Sequence, residues 1–234
     1  LSSRREYTKA SPFVVLLGKG DHEVTSSWTS PHGDLHQNVL GITRNNIVII
    51  GKGIGETTVS GGIGIHNVQN ITLKQMTLTN TNGNGIQMHA AVVELVDVAV
   101  VHCGASGISV RNTASAPSQI VATRCEMSNN GVYGLYIINS FNNIPHNVHV
   151  KNCISHHNSH HGINMSGKGA VNIHGNATAI YSNSWCGIRA SNSAKVLIHL
   201  PSHHNTTYNN GGQDRETFAG ATITNVEDEE EELE

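Results

Sequence analysis

In this sequence an apolar, β-branched residue is followed fourteen positions later by glycine, and the pairing occurs seven times: Ile50/Gly64, Ile71/Gly85, Val93/Gly107, Ile120/Gly134, Val148/Gly162, Ile173/Gly187 and Ile198/Gly212. Successive glycines lie 21, 22, 27, 28, 25 and 25 residues apart, so most of each repeat has a fixed length while one connection varies. That pattern is the signature of a solenoid. Six of the seven glycines are followed by Ile or Leu, as in Gly85-Ile86-Gln87-Met88 and Gly134-Leu135-Tyr136-Ile137, where apolar and polar side chains alternate at the strand period of two. The repeat is therefore built of strands. It predicts stacked parallel coils in which Ile65, Ile86, Ile108, Leu135, Ile163 and Ile188 form one buried column.

Composition agrees. With 37% apolar residues but only 4% aromatic and 13% charged, the chain must bury many small aliphatic side chains, which suits a narrow stacked core. Its 234 residues suit a single domain. Residues 1–44 do not match the repeat and are expected to form an N-terminal cap with one strand near Phe13 to Leu17. About seven coils, with a C-terminal cap, are expected over residues 45–226. Residues 227–234 carry seven carboxylates in eight positions, a composition expected to be disordered by self-repulsion. No run of eighteen apolar residues occurs, so no membrane span is expected. The chain begins at Leu1 rather than Met, so the lack of a visible signal peptide says little about export.

Three short strands fit into each coil: one around the leading aliphatic, one about five residues later, and the Gly-Ile segment. Between the second and third, Asn130, Asn158 and Asn183 coincide in consecutive coils. Units of this length, rich in strand, Asn and Gly, resemble the coils of a right-handed parallel β-helix of the pectin-lyase-like superfamily. The stretch Asn46 to Gly61 is similar to the early coil of pectin methylesterases, although the paired aspartates of that esterase are not found downstream. The resemblance implies an all-β fold and an asparagine ladder of stacked amides. It also implies a substrate groove between the first-strand face and the variable loops after the third strand, and an extracellular or particle-surface location.

Charge constrains function next. Without the seven carboxylates of the tail, ten acids face fourteen Lys and Arg, so the body is net positive by four. Between residues 60 and 213 the only carboxylates are Glu94, Asp97 and Glu126, against seven cations. A mildly basic β-helix suits an anionic partner, and acidic polysaccharide fits the resemblance. Nucleic acid is not expected, because basic patches interleaved with aromatics are missing. The shortage of acids opposes a glycoside hydrolase, which needs two carboxylates around the scissile bond. Asp97 and Arg124 share a repeat position, which predicts a ladder salt bridge.

The residue after the leading aliphatic is His149, His174 and His199 in coils five to seven, each expected to point outward in one column. Asn147, Lys151, Asn172 and Asn176 are expected on the same face, and Tyr136, Asn164 and Arg189 on a second outward column of the third strand. Such a patch has the parts for removing the C5 proton of a uronate: His149 or His174 as base, Lys151 with the asparagines to hold the carboxylate as charge develops. That is the step shared by uronate lyases and C5-epimerases. The rival reading is a non-catalytic structural or surface solenoid, a spike, adhesion or envelope component whose histidines are merely exposed.

No metal and no cofactor are implied. His156, His157, His160, His161, His203 and His204 follow no zinc spacing, and Gly51-Lys52-Gly53-Ile54-Gly55 matches neither GxxxxGK[ST] nor GxGxxG. Cys103, Cys125, Cys153 and Cys186 show no CxxC pattern; Cys125 and Cys153, stacked by the repeat, read as buried thiols, with a disulfide between these neighbouring strands as the alternative.

Overall fold

The computed structural model describes residues 6–30, 33–112, 116–139, 146–199 and 206–227, and all regular structure among them is strand. The strands wind as a parallel solenoid. First strands include Gln119–Thr123, His146–Lys151, Gly169–His174 and Ala194–His199. Second strands such as Glu126–Ser128 and Ile154–His156 join them in one 15-stranded sheet. Third strands, among them Ile86–His89, Ile108–Arg111, Leu135–Ile138, Ile163–Ser166 and Ile188–Ser191, make an eight-stranded sheet. The inner faces of both sheets enclose a core of Val, Ile, Leu and Met that runs the length of the stack.

Single left-handed residues make the corners. Gln75, Asp97, Arg124 and Asn152, with φ of 52–58°, bend the chain between first and second strand. His102, Asn129, His157, Ser182 and Asn209, with φ of 51–54°, turn it before the third. Each costs roughly 1–2 kcal/mol for a non-glycine residue, and neighbouring coils compensate. At the first corner Arg124 grips Asp97 through two hydrogen bonds of 2.7 and 2.8 Å, as their shared repeat position predicted.

At the second corner the asparagines form the expected ladder and extend it by a rung. Asn130 Nδ2 donates to Asn158 Oδ1 (3.0 Å), Asn158 Nδ2 to Asn183 Oδ1 (2.8 Å), and Asn183 Nδ2 to Asn210 Oδ1 (2.9 Å). Each acceptor oxygen also takes the backbone N–H of the asparagine below. The recurring glycine serves this ladder. A Cβ at Gly107 would stand 2.8 Å from Asn130 Nδ2 and 2.8 Å from the Gly134 carbonyl oxygen, and Gly134, Gly162 and Gly187 are as tightly faced. None of these four has positive φ, so close approach, not backbone freedom, demands glycine.

Three coils depart from the expected register: the first and the sixth, and the seventh, where Val196, not Ile198, aligns with Val171 and Asp214, not Gly212, with Gly187. Ile86, Ile108, Leu135, Ile163 and Ile188 stack in order, but the first coil contributes Ile63, while Ile65 pairs with Met88 in the adjacent column. The reason is Gly64, which faces outward and makes room for Trp28, whose ring would clash with a Cβ there. In coil six Val171, not Ile173, aligns with Val148, because two additional residues occupy the turn around Gly175 and Asn176.

Residues 13–42 stack as well: Phe13–Leu16, Gly20–Glu23 and Val39–Ile42 pair in parallel with the three strands of the first coil, and an antiparallel hairpin of Ser27–Thr29 and Leu35–Gln37 carries Trp28. Most of the acidic tail, 228–234, lies outside the described residues. All four cysteines are free and buried; Cys125 N–H donates to Cys153 Sγ (3.3 Å), and burial pushes the Cys103 thiol up to about 11. Among the described residues no helix is long and apolar enough to cross a membrane.

If the glycine column spaces the coils, Gly134→Ala will destabilise the protein by about 1–3 kcal/mol through overpacking. Gly212→Ala should be the milder change, since Gly212 stands outside the column and the atom nearest to an added Cβ would be 3.2 Å away. Urea midpoints at unchanged m-value test this, and equal shifts would refute the role of the column.

Candidate functional site

The first-strand face of coils five to seven is assembled by strand alternation: Val148, Val150, Val171, Ile173, Val196 and Ile198 point inward, which turns the residues between them outward. Registration places His149 beside Asn172 and Lys151 beside His174, with Asn147 beside Ala170 and then Lys195. His174 and His199 therefore share a column, while His149 stands two residues off it, a consequence of the extra residues in coil six. His149 meets His174 on the diagonal instead. The His149 and His174 rings stack at 5.6 Å and 13°, with His149 Nδ1 3.4 Å from His174 Nε2, and His174 stacks on His199 at 4.0 Å and 21°. The His199 Nε2–H donates to Asn172 Oδ1 at 3.2 Å. Asn176 stands apart, in the exposed turn beyond the strand.

No carboxylate occurs in the sequence between Glu126 and Asp214, so nothing anionic from that stretch neutralises this face. Burial, then the neighbouring His199, holds the His149 pKa below the ordinary histidine value. Its ring is thus neutral near pH 7 and keeps a lone pair for a proton.

Tyr136, Asn164 and Arg189 lie on the third-strand sheet and do not join the histidines. They form one outward column, Gln87, Ser109, Tyr136, Asn164, Arg189 and Glu216. Arg189 Nε is 2.9 Å from Glu216 Oε2. Beside this column Tyr133 packs on Tyr136 (4.9 Å) and lies parallel to His161 (5.7 Å, 3°), while Trp185 stacks on His160 (4.8 Å, 19°). His161 is buried, and its Nδ1 accepts the Cys186 N–H at 3.1 Å, which fixes a neutral ring. Burial and the nearby Arg189 push its pKa down to about 4. Trp185, Tyr133, Glu216 and Arg111 were not singled out from sequence. The repeat nonetheless carried the signal for two of them, since Trp185 and Tyr133 precede their column glycines by two and one positions.

Among the described residues no three His, Cys, Asp or Glu side chains converge on a metal position. His156 instead reaches Glu126 (3.2 Å) and stacks on Tyr181, while His203 and His204 lie outside the described residues.

A family profile described as the right handed beta helix region matches residues 37–227. The chain belongs to the right-handed β-helix family. Among solved structures, this β-helix is similar to a pectin methylesterase in complex with a hexasaccharide, at 13% identity and a TM-score of 0.47, over 97% of this chain and 86% of that one. It is also similar to the A-module of an Azotobacter vinelandii mannuronan C5-epimerase, at 10% identity and a TM-score of 0.29, over 92% of this chain and 90% of that one. These are likenesses of fold alone. A comparison with curated proteins finds no match.

The buried histidine of this β-helix makes its stability pH-dependent. With a folded pKa of about 4 against 6.5 for the free side chain, His161 binds fewer protons folded than unfolded between those values. Stability is then complete above pH 6.5 and is lost as pH falls through about 4, in the same direction as for His146, His149 and His156. Denaturation of His161→Gln should show a shallower acid limb than wild type; an identical limb would remove His161 as its source.

Proposed function

We propose that this β-helix binds an acidic polysaccharide along the first-strand face of coils five to seven. The observation that carries the reading is the meeting of His149, His174 and His199 beside Lys151, Lys195, Asn147 and Asn172 on a face whose stretch of sequence holds no acid. Lysines there can pair with uronate carboxylates, and asparagine amides and imidazole edges can bond hydroxyls.

The depressed pKa of His149 favours a chemical extension of the same site. In a bound uronate the neutral imidazole takes the C5 proton while Lys151 and Asn147 hold the carboxylate as enolate charge develops. Expulsion of the C4 oxygen with its electron pair then gives the unsaturated product of a lyase. Return of a proton to the opposite face gives the C5 epimer. His174, stacked on His149 and so on the same side of the sugar, is the group to protonate the departing C4 oxygen, while the opposite-face proton of an epimerase comes from solvent.

Binding to pectate and alginate should weaken as salt rises. Lys151→Ala should cost up to about fivefold in affinity, the range of an exposed ion pair. Lys74→Ala should cost less, because Lys74 lies three coils away and sits 3.9 Å from Glu94. Unsaturated uronate is followed by absorbance and epimerisation by NMR; His149→Gln should abolish turnover while binding persists. Equal losses from both lysine changes would replace the groove with diffuse attraction. Absence of turnover on any uronate polymer would leave a binding or structural solenoid.

A further inference from the structure

Atoms with unmet hydrogen-bonding capacity collect on a different face from the histidines. Ser109 Oγ, Arg111 Nε and Asn164 Oδ1 are each buried without a partner, and all three belong to third strands. His36 Nε2, on the hairpin folded over the start of that sheet by Trp28, is a fourth. Such atoms cost about 1–3 kcal/mol each when left unpaired, so their gathering along one face points to a ligand that completes them.

The far end of the face supplies a platform. One side of the Trp185 indole is covered by His160, and His161 meets it edge-on at 5.6 Å and 89°. In the coil above, the residue in register is Gly212, whose N–H donates to the Trp185 carbonyl at 2.9 Å and which has no side chain to cover the second side. Trp185 is accordingly 54% exposed, against 7% for Trp28. It borders a pocket of about 460 Å³ together with Arg189, Gln213 and Glu216. An open indole face ringed by a guanidinium, a carboxylate and an amide matches the chemistry of a sugar ring, which offers an apolar C–H face and hydroxyls around its edge.

We propose that the third-strand face is a second glycan site, in which a neutral sugar ring stacks on Trp185 and the chain continues over Arg189, Asn164, Tyr136 and Ser109. A neutral ligand is favoured because Arg189 already lies against Glu216 at 2.9 Å and His161 Nδ1 is occupied by the Cys186 N–H, which leaves no free cation cluster in the pocket. From Ser109 to Glu216 the column spans four coil intervals, about 19 Å at the ordinary strand spacing, so the ligand is an oligosaccharide and not one sugar. The site stands on a separate sheet from the face proposed for acidic polysaccharide and does not depend on it.

Intrinsic fluorescence provides the test, because the protein has two tryptophans and only Trp185 is exposed. Cellohexaose, mannohexaose, maltohexaose and hexagalacturonate are titrated against the full chain, with calorimetry in parallel. A saturable emission change with at least one neutral hexasaccharide is expected. Calorimetric affinity should fall about tenfold or more in Trp185→Ala, in line with the loss of an aromatic contact and its buried area, and should hold in Lys151→Ala. Arg189→Met, which removes an edge donor and leaves the indole, is the second variant and should weaken binding with Trp185 still reporting. No saturable response to any neutral probe overturns the proposal. So does wild-type affinity in both variants, or a response confined to hexagalacturonate and lost in Lys151→Ala, which would assign Trp185 to the acidic groove.

Discussion

The close contact between the glycine column and the asparagine ladder sets the geometry on which the rest of the solenoid depends. Asn130, Asn158 and Asn183 are buried, and each amide is satisfied only if the next coil arrives close enough for its Oδ1 to take both an amide and a backbone proton. That approach brings the amide and a neighbouring carbonyl to within 3 Å of where a side chain would begin at Gly107, Gly134, Gly162 and Gly187. Glycine weakens a strand by its entropy, yet here any larger residue would separate the coils and orphan the amides.

The exceptions follow the same rule. Gly62 faces Asn80 of the coil above it, but Val39, in register with Gly62, needs no glycine: only Gly61 separates Ser60 from Gly62, and that coil has no asparagine rung. Gly85 faces Cys103, which stands in the ladder and donates its backbone N–H to Asn130 Oδ1. At the last rung the glycine position is Asp214. No further third strand stacks on its side among the described residues, so its Cβ meets no ladder, and its Oδ1 accepts Asn210 Nδ2 at 2.7 Å. One carboxylate thus takes the place of the missing asparagine and closes the amide chain.

What could be read from sequence was whatever repeated. The coil period, the core column from Ile86 to Ile188, the rungs Asn130, Asn158 and Asn183, and the Asp97 to Arg124 pair all recur at fixed spacing, and each stands in the structure. Reading failed where one coil departed from the period. The additional turn residues near Gly175 shifted Val171 into the place assigned to Ile173, so His149 lies diagonal to the column of His174 and His199. Gly64 mimicked a column glycine although its purpose is to seat Trp28, a contact between segments remote in sequence that no spacing encodes. Assigning Tyr136, Asn164 and Arg189 to one column was within reach; that their face holds the unpaired polar atoms was not, because satisfaction depends on side-chain packing.

Stacking also decides which surfaces a parallel solenoid can offer. Rings in register lie face to face, as His156, Tyr181 and Tyr208 do at 4.9 and 5.1 Å and 6°, so each covers the flat surface of the next and only edges remain. The edges of the His149, His174 and His199 stack carry ring nitrogens, which suits carboxylates, hydroxyls and protons but gives a sugar no apolar surface to rest on. A flat face becomes free only where a stack ends. Trp185 is such an end, since the column that began with His160 continues into Gly212. The two faces therefore differ in kind, one an array of polar edges and the other a single open ring. The difference arises from where the aromatic residues stop, not from a change in fold.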